Sequence, residues 1–296
     1  MGSKVTVKKQ SHPLDNALRA RLHLSETSWF QLKTVRATLH VMDTISRAFV
    51  GKAFFSLRES EDMLKEIGGL TGADLISHVL NRNGGTRITA AGLDHVPQSG
   101  PVIIASTHPT GMFDFVAHAG ALLERRPDLK VVANDETQMF LGPDRIIPVS
   151  IDKQNKATST HKTHSAMRRH LDDNGALLIF GSGRVPYIED GYLVEPDWRG
   201  GTTRISQTCE APIVPAAVNA KNSRYYYRTR AIAQFLSGGN DNFGAMVGSL
   251  RYSSELLEKL GGEFEVRYGL PLCPGAAPQE IKLVAENLIP GLYAQH

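Results

Sequence analysis

The sequence of 296 residues contains few cysteines, little excess charge and no long apolar run. Its two cysteines, Cys209 and Cys273, are too few for a disulfide framework, and their spacing matches no zinc signature. No stretch approaches the roughly 20 apolar residues that span a bilayer, and the first residues lack the apolar core of a signal peptide. The net charge of +3 does not indicate a nucleic-acid partner. We therefore expect a protein of a reducing compartment that binds no nucleic acid.

Positive charge is concentrated near the N terminus, where residues 1–58 contain ten Lys or Arg and three Asp or Glu. An apolar stripe at helical spacing comprises Leu32, Val35, Leu39, Met42, Ile45 and Phe49. Charged and polar residues are expected on the other faces, namely Lys33, Arg36, His40, Asp43 and Arg47. Aromatic pairs flank the stripe at 29–30 and 54–55.

This pattern is typical of a helix that lies in a membrane interface, where anionic headgroups attract Lys and Arg. It also fits an ordinary helix that packs its stripe on a protein core. We predict that residues 1–84 form an N-terminal basic amphipathic helical segment.

A breaker at Asn81–Gly85 marks a change of pattern, after which short apolar runs alternate with helical stretches. We expect strands at 87–91, 101–106, 130–133, 146–151, 176–180, 212–218 and 263–268, and helices at 113–124, 160–172, 202–209 and 279–288. Such alternation predicts an α/β domain over 85–296, with a mostly parallel central sheet flanked by helices.

The segment from Ser106 to Asp114 follows a predicted buried strand and opens a predicted helix. Ligands of open α/β sheets bind outside the carboxyl ends of the strands, which is where His108 is expected. A loop containing Pro109 and Gly111 can bring the Asp114 carboxylate to the imidazole. The pair then forms a dyad that can accept a proton from an alcohol.

A second glycine-containing segment, Gly181–Arg184, follows another predicted buried strand. Its successive N–H groups, together with Arg184, suit a phosphate or a carboxylate. A serine nucleophile is disfavoured, because the nucleophile elbow needs glycine two residues before the serine and Phe180 stands there.

The histidines could also be interpreted as a metal site. Asp114 and His118 are four residues apart on a predicted helix, so His108 could complete a set of three ligands. His161 and His164 form another close pair. Neither group has the helical two-histidine signature with a general-base glutamate, so we expect no metal.

Taken together, four blocks over residues 86–222 make the chain resemble the lysophospholipid acyltransferase superfamily, in particular its hemolysin-like branch, which includes acyltransferases of ornithine-type aminolipids. The blocks are His108 and Asp114 separated by five residues, 149–153, 180–184 and 211–216. In the third block Ser182 stands where the superfamily usually has a glutamate associated with a glycerol-phosphate acceptor. This departure favours a different acceptor head group.

The resemblance implies an O-acyltransferase that moves a fatty acyl group from acyl-CoA or acyl carrier protein to a lysolipid, with no further cofactor. His108 and Asp114 would be catalytic. The implied substrate-binding residues are Thr107, Gly111, Phe113, Lys153, Gly181, Ser182, Gly183 and Arg184. We expect a peripheral protein at the cytoplasmic face of a membrane. The alternatives are a catalytically silent lipid-binding protein of the same fold and a metal-dependent hydrolase.

Overall fold

The computed structural model describes residues 13–22, 24–149 and 156–294. Its helices are α1 (Pro13–Leu22), α2 (Trp29–Val50), α3 (Leu57–Glu66), α4 (Gly72–Leu80), α5 (Met112–Leu122), α6 (Gln138–Leu141), α7 (Lys156–Asp172), α8 (Gly201–Cys209), α9 (Arg224–Leu236), α10 (Asp241–Ser249), α11 (Tyr252–Lys259) and α12 (Pro278–Asn287). Its strands are β1 (Arg87–Ala91), β2 (Val102–Ser106), β3 (Lys130–Asn134), β4 (Ile146–Val149), β5 (Ala176–Phe180), β6 (Tyr187–Glu189), β7 (Tyr192–Val194), β8 (Ile213–Val218) and β9 (Glu263–Tyr268).

Seven strands form one sheet in the order β1-β9-β8-β2-β5-β3-β4. The five strands from β8 to β4 are parallel, and β9 joins them antiparallel to β8 while it pairs in parallel with β1. β6 and β7 form a separate hairpin. The prediction of a mostly parallel sheet with flanking helices and preceding N-terminal helices is confirmed.

The central strands β2 and β8 are buried at every residue, which explains why their sequences are almost continuously apolar. Neighbouring side chains of β2 enter different clusters, as expected from the alternation of a strand. Ile104 belongs to the large core that includes α5, whereas Ile103 packs with residues of α7 and α8 on the other face.

The N-terminal helices do not form a separate unit. Met63 of α3 and Val79 of α4 lie in the same large core as the strands. A smaller cluster joins α1, α2 and the start of α3, and Leu250 of the segment before α11 packs against it. The predicted boundary after residue 84 therefore does not divide the core, because α3 and α4 cover one face of the α/β domain.

The apolar stripe of α2 is divided between the core and the surface. Leu32 and Leu39 are buried in the smaller cluster, whereas Ile45 is 52% exposed and Phe49 is 86% exposed. The face of α2 that packs inward continues through Asp43, which is 1% exposed. The prediction that one face holds the whole stripe, with Asp43 outside it, is therefore wrong.

Asp43 is buried because its carboxylate receives the N–H groups at the start of α3. Oδ1 accepts from Phe55 and from Ser56, and Oδ2 accepts from Leu57 at 3.0 Å. Carboxylates are stabilised at a helix N-terminus by exposed N–H groups and by the helix dipole. Phe55 is also buried and Phe54 packs on it edge to face, so this predicted interfacial pair lies against the protein.

Two of the four other residues expected outside the packed face also turn toward the protein. Arg36 pairs with Asp15 of α1 and with Glu61 of α3, and Arg47 pairs with Glu59 at 2.7 Å.

Within the described part of the chain, no helix is both long enough and apolar enough to cross a membrane.

Candidate functional site

The two segments singled out in the sequence meet at one edge of the sheet. β2 and β5 are neighbours whose last residues, Ser106 and Phe180, are paired. The N–H of Gly181 donates to the carbonyl of Ser106 at 3.1 Å, so the two loops start side by side. We call 107–111 the histidine loop and 181–184 the glycine loop.

The histidine loop places an imidazole against a carboxylate. Nδ1 of His108 lies 2.9 Å from Oδ2 of Asp114, and the side chains are 18% and 0% exposed. The ring N–H does not point along the line to Oδ2, so the contact is an ion-pair distance without hydrogen-bond alignment. Nδ1 itself is enclosed, which leaves the exposed part of the ring on its other atoms.

Asp114 is held by the backbone of its own loop. Oδ2 accepts from the N–H groups of Thr110 and Gly111, both at 3.0 Å, and Oδ1 accepts from the Thr110 hydroxyl. Gly111 adopts φ +86°, which favours glycine, and a Cβ there would meet the ring of Tyr252 at 3.3 Å. The residues Thr110 and Gly111 before α5 therefore hold the Asp114 carboxylate in position.

Phe180 fixes the plane of the imidazole. The rings of His108 and Phe180 stack with centroids 4.1 Å apart and planes 24° apart. Because Phe180 ends β5, the neighbouring strand orients the histidine that follows β2.

His118, one turn along α5 from Asp114, forms a buried link between strands. Its Nε2 lies 2.9 Å from the Ser106 hydroxyl, and its Nδ1 lies 3.1 Å from the Tyr268 hydroxyl. Desolvation lowers the pKa of His118 to about 4, with a smaller opposing effect of Asp114. Since both ring nitrogens are engaged, His118 is not available as the metal ligand of the hydrolase alternative. Among the described residues, no group of three or more His, Cys, Asp or Glu could hold a metal ion.

The glycine loop uses most of its N–H groups internally. Gly181 donates to Ser106, Gly183 donates to the carbonyl of Phe180 at 3.0 Å, and Arg184 donates to the Ser182 hydroxyl at 3.1 Å. The expected anion site of successive free N–H groups is therefore not formed at these three positions. The backbone N–H groups that such a site needs form the hydrogen bonds of a tight turn instead.

Three of the expected substrate-binding side chains have almost no accessible surface. Thr107, Phe113 and Ser182 are 0%, 1% and 2% exposed. Phe113 packs on Phe264 in the large core, with ring centroids 4.5 Å apart. Their direct contact with substrate stays a prediction, and it would require these side chains to become accessible.

The remaining expected residues divide by accessibility. Gly111 is buried beside Asp114 and Gly181 beneath Trp198, while Gly183 is exposed with open space around it. Arg184 is also exposed, and its guanidinium donates to Oδ1 of Asn242 at 2.6 Å and lies 3.8 Å from Asp241. Lys153 lies outside the described residues.

Glu195 and Trp198 are site residues that the sequence analysis missed. The Ser182 hydroxyl and the Trp198 indole N–H lie 2.8 and 3.2 Å from the same carboxyl oxygen, Oε1 of Glu195. Trp198 covers Gly181 so closely that a Cβ there would lie 1.9 Å from the indole. Desolvation raises the pKa of Glu195 to about 8. No spacing rule links these residues to Ser182, because the β6–β7 hairpin separates them.

Comparison with known proteins gives the following matches. The model of a protein family described as Acyltransferase matches residues 30–279. No curated protein matches the chain. Among solved structures, the 1-acyl-sn-glycerophosphate (LPA) acyltransferase PlsC from Thermotoga maritima is 11% identical, with a TM-score of 0.43 over 93% of this chain and 95% of that chain.

Proposed function

The chain belongs to the acyltransferase family, and from that premise we propose that it moves a fatty acyl group from an acyl thioester to the hydroxyl of a lysolipid. The observation that supports this most is the dyad. A partly exposed His108 ring faces an enclosed Asp114 carboxylate at the carboxyl end of β2. This arrangement suits a general base that acts on a hydroxyl group.

In the proposed reaction, Nε2 of His108 removes the proton of the acceptor hydroxyl as its oxygen attacks the thioester carbonyl. Asp114 stabilises the imidazolium that forms, since its Oδ2 lies 2.9 Å from Nδ1. The tetrahedral intermediate then collapses, the C–S bond breaks, and the imidazolium returns the proton to the departing thiolate. The products are the ester and a free thiol, and no covalent enzyme intermediate is needed.

For the acceptor we propose a lyso-aminolipid. The side chain at the third-block position is a serine that bonds inward to Glu195 and to the backbone of Arg184, so it presents no carboxylate to an acceptor. Arg184, half exposed at the end of the glycine loop, would bind an anionic group of acceptor or donor. Lys153 is proposed for the same role from its place in the second block. The acyl donor is acyl-CoA or acyl carrier protein.

The outer side of α2 supports attachment to the cytoplasmic face of an anionic membrane. Trp29, Phe30, Ile45 and Phe49 are each more than half exposed. The one acidic residue of α2, Asp43, is buried, so no carboxylate on this helix faces outward. Exposed apolar side chains on a helix with no outward carboxylate of its own suit an interface that carries negative charge.

The proposed function is tested with purified protein, radiolabelled acyl-CoA or acyl carrier protein, and a lyso-aminolipid or lysophosphatidic acid. We expect ester formation that needs His108, with the lyso-aminolipid as the better acceptor. The two donors are assayed separately, which identifies the carrier. Lipid binding without ester from any combination would instead support the silent lipid-binding alternative.

A further inference from the structure

Glu195 is a buried carboxyl group to which the proposed reaction assigns no role. It follows β7 and is 2% exposed. Its two contacts, from Ser182 and from Trp198, are both made at Oε1. Oε2 is enclosed and has no hydrogen-bond partner. A carboxylate buried in this way would keep its charge on an unsatisfied oxygen, which is costly.

The hydrogen bonds around Ser182 show how this cost is avoided. The Ser182 oxygen accepts the N–H of Arg184 and lies 2.9 Å from the Arg184 carbonyl and 2.8 Å from Oε1 of Glu195. A hydroxyl has a single hydrogen to donate, so it cannot donate to both oxygens. If Glu195 bears a proton on Oε1, it donates to Ser182, and the Ser182 hydrogen is free for the Arg184 carbonyl. With Glu195 ionised, one of these contacts has no hydrogen.

We propose that Glu195 is a positioning residue that acts as a neutral carboxylic acid, donating its proton to Ser182 and thereby locking the glycine loop beside His108. Two further contacts hold the glycine loop in place. Trp198 covers Gly181, and the N–H of Arg199 donates to the Gly181 carbonyl at 3.0 Å.

The surroundings favour the neutral form. Burial is the largest influence on the pKa of Glu195 and raises it to about 8, and the charge of Glu286 on α12 acts in the same direction. Burial, and after it the charge of Glu195, raises the pKa of the Tyr293 phenol. The nearest cation on α12, Lys282, is shared between Glu286 at 3.9 Å and Asp197 at 3.8 Å. The contacts of Ser182 and Trp198 with Oε1 lower the pKa of Glu195 but do not outweigh burial.

Infrared spectroscopy tests the protonation state without an activity assay. At pH 7 the wild-type protein should show the C=O band of an un-ionised carboxylic acid, and Glu195→Gln should lack that band. Wild-type and variant spectra without this difference would overturn the proposal. This measurement does not depend on the proposed acyl transfer.

The second test uses the pH profile of kcat with the acyl donor and acceptor of the proposed function, on which this part of the inference rests. Wild-type kcat should decline as Glu195 ionises near pH 8, whereas Glu195→Gln should not show this decline. Glu286→Gln is the matched control, because it changes a nearby carboxylate but leaves Ser182 its partner; it should keep the decline at slightly lower pH. An identical alkaline decline in wild type and Glu195→Gln would overturn the proposal while the transfer activity itself stands.

A double-mutant cycle tests whether Glu195 acts through Ser182. Glu195→Ala should lower kcat about 10- to 100-fold, as expected when a loop beside the reacting group is displaced by a fraction of an ångström. If the two residues act as one unit, Ser182→Ala combined with Glu195→Ala should lose no more than the worse single variant. Fully additive losses would contradict the proposed link. Should Glu195→Ala fail to fold, Glu195→Gln and the infrared band still decide the question.

Discussion

The histidine loop and the glycine loop each lie against one carboxyl group. The two carboxyl groups are about equally buried, but they differ in their hydrogen bonds. Asp114 is 0% exposed and accepts hydrogen bonds at both oxygens, from two backbone N–H groups and a hydroxyl. Glu195 is 2% exposed and has both of its partners at one oxygen. The supply of donors, rather than burial alone, therefore distinguishes the two groups, because hydrogen-bond donors favour a carboxylate and their lack favours a neutral acid. A carboxylate can stabilise an imidazolium, and a neutral acid can donate a hydrogen bond.

The largest expected effect is the loss of the base that the first carboxylate supports. His108→Ala should lower kcat/KM by about 10²–10⁴-fold, the usual cost of removing a general base. The fold should persist, because the imidazole is partly exposed and Asp114 keeps its backbone donors. Steady-state kinetics and circular dichroism measure the two properties. His161→Ala, at an exposed histidine of α7, is the matched control and should be fully active.

The same chemical change at both carboxyl groups tests the comparison directly. Asp114→Asn should lower kcat about 100-fold, because it removes the charge beside protonated His108. It should also destabilise the fold by about 1–3 kcal/mol, since the amide NH₂ group opposes backbone donors. Glu195→Gln should cost less in both measurements, because the amide is neutral as the proposed acid is and its NH₂ group opposes only one donor, the Trp198 N–H. If the two variants lost kcat and urea-unfolding free energy equally, the proposed difference between the Asp114 and Glu195 carboxyl groups would be wrong.

The dependence of stability on pH sharpens the comparison further. The pKa of Glu195 is about 8 in the folded protein against 4.5 for a free side chain, so the folded state binds an extra proton in this window and stability falls as pH rises. The pKa of His118 is about 4 against 6.5, so stability falls as pH drops through that window. Between pH 4.5 and 6.5 the two groups therefore change stability in opposite directions as pH rises: Glu195 lowers it and His118 raises it.

Above pH 6.5 the contribution of Glu195 acts without that of His118. Between pH 6.5 and 8 the unfolding free energy of the wild type should therefore fall by about 2 kcal/mol more than that of Glu195→Gln. Urea titrations at several pH values measure this difference. Parallel curves for the two proteins would show that Glu195 is already ionised at neutral pH.

A smaller effect is expected where the glycine loop reaches the surface. Arg184→Ala should raise the KM for the anionic substrate about tenfold with little change in kcat, because it removes a binding contact rather than a reacting group. Arg184→Lys should restore only part of the affinity, since an ammonium lacks the planar fork of guanidinium. Arg87→Ala, at an exposed arginine of the edge strand β1, serves as the control. Unchanged constants for Arg184→Ala would exclude an anion-binding role.

The smallest effect on folding and chemistry is expected on the outer side of α2. Replacing Ile45 and Phe49 with serine should change stability by no more than about 0.5 kcal/mol. Binding to anionic vesicles should decrease, and added salt should weaken the remaining binding. The matched control places serine at Phe235 and Leu236, the exposed apolar pair at the end of α9. If only this second variant loses vesicle binding, the membrane contact lies on α9.

The strand, loop and helix around His108 could be predicted because every step is local: an apolar run, a Pro- and Gly-containing loop and a helix start. The inward face of α2 could not, because Asp43 is buried by the N terminus of a different helix. Nor could Glu195 be found, since the hairpin that follows the glycine loop brings it back to Ser182. In both cases a carboxyl group is buried by partners distant in sequence, and apolar periodicity contains no information about such partners.

The position of β9 determines when the site can first be assembled. In the described sheet β1 is an edge strand that pairs with β9, roughly 170 residues later in the chain. At the usual rate of synthesis that separation amounts to on the order of ten seconds or more. Tyr268, the last residue of β9, also supplies the hydroxyl that meets His118. A growing chain therefore carries His118 long before the strand that supplies its Tyr268 partner is made. Translation thus delays the pairing of β1 with β9 until residue 268 has left the ribosome.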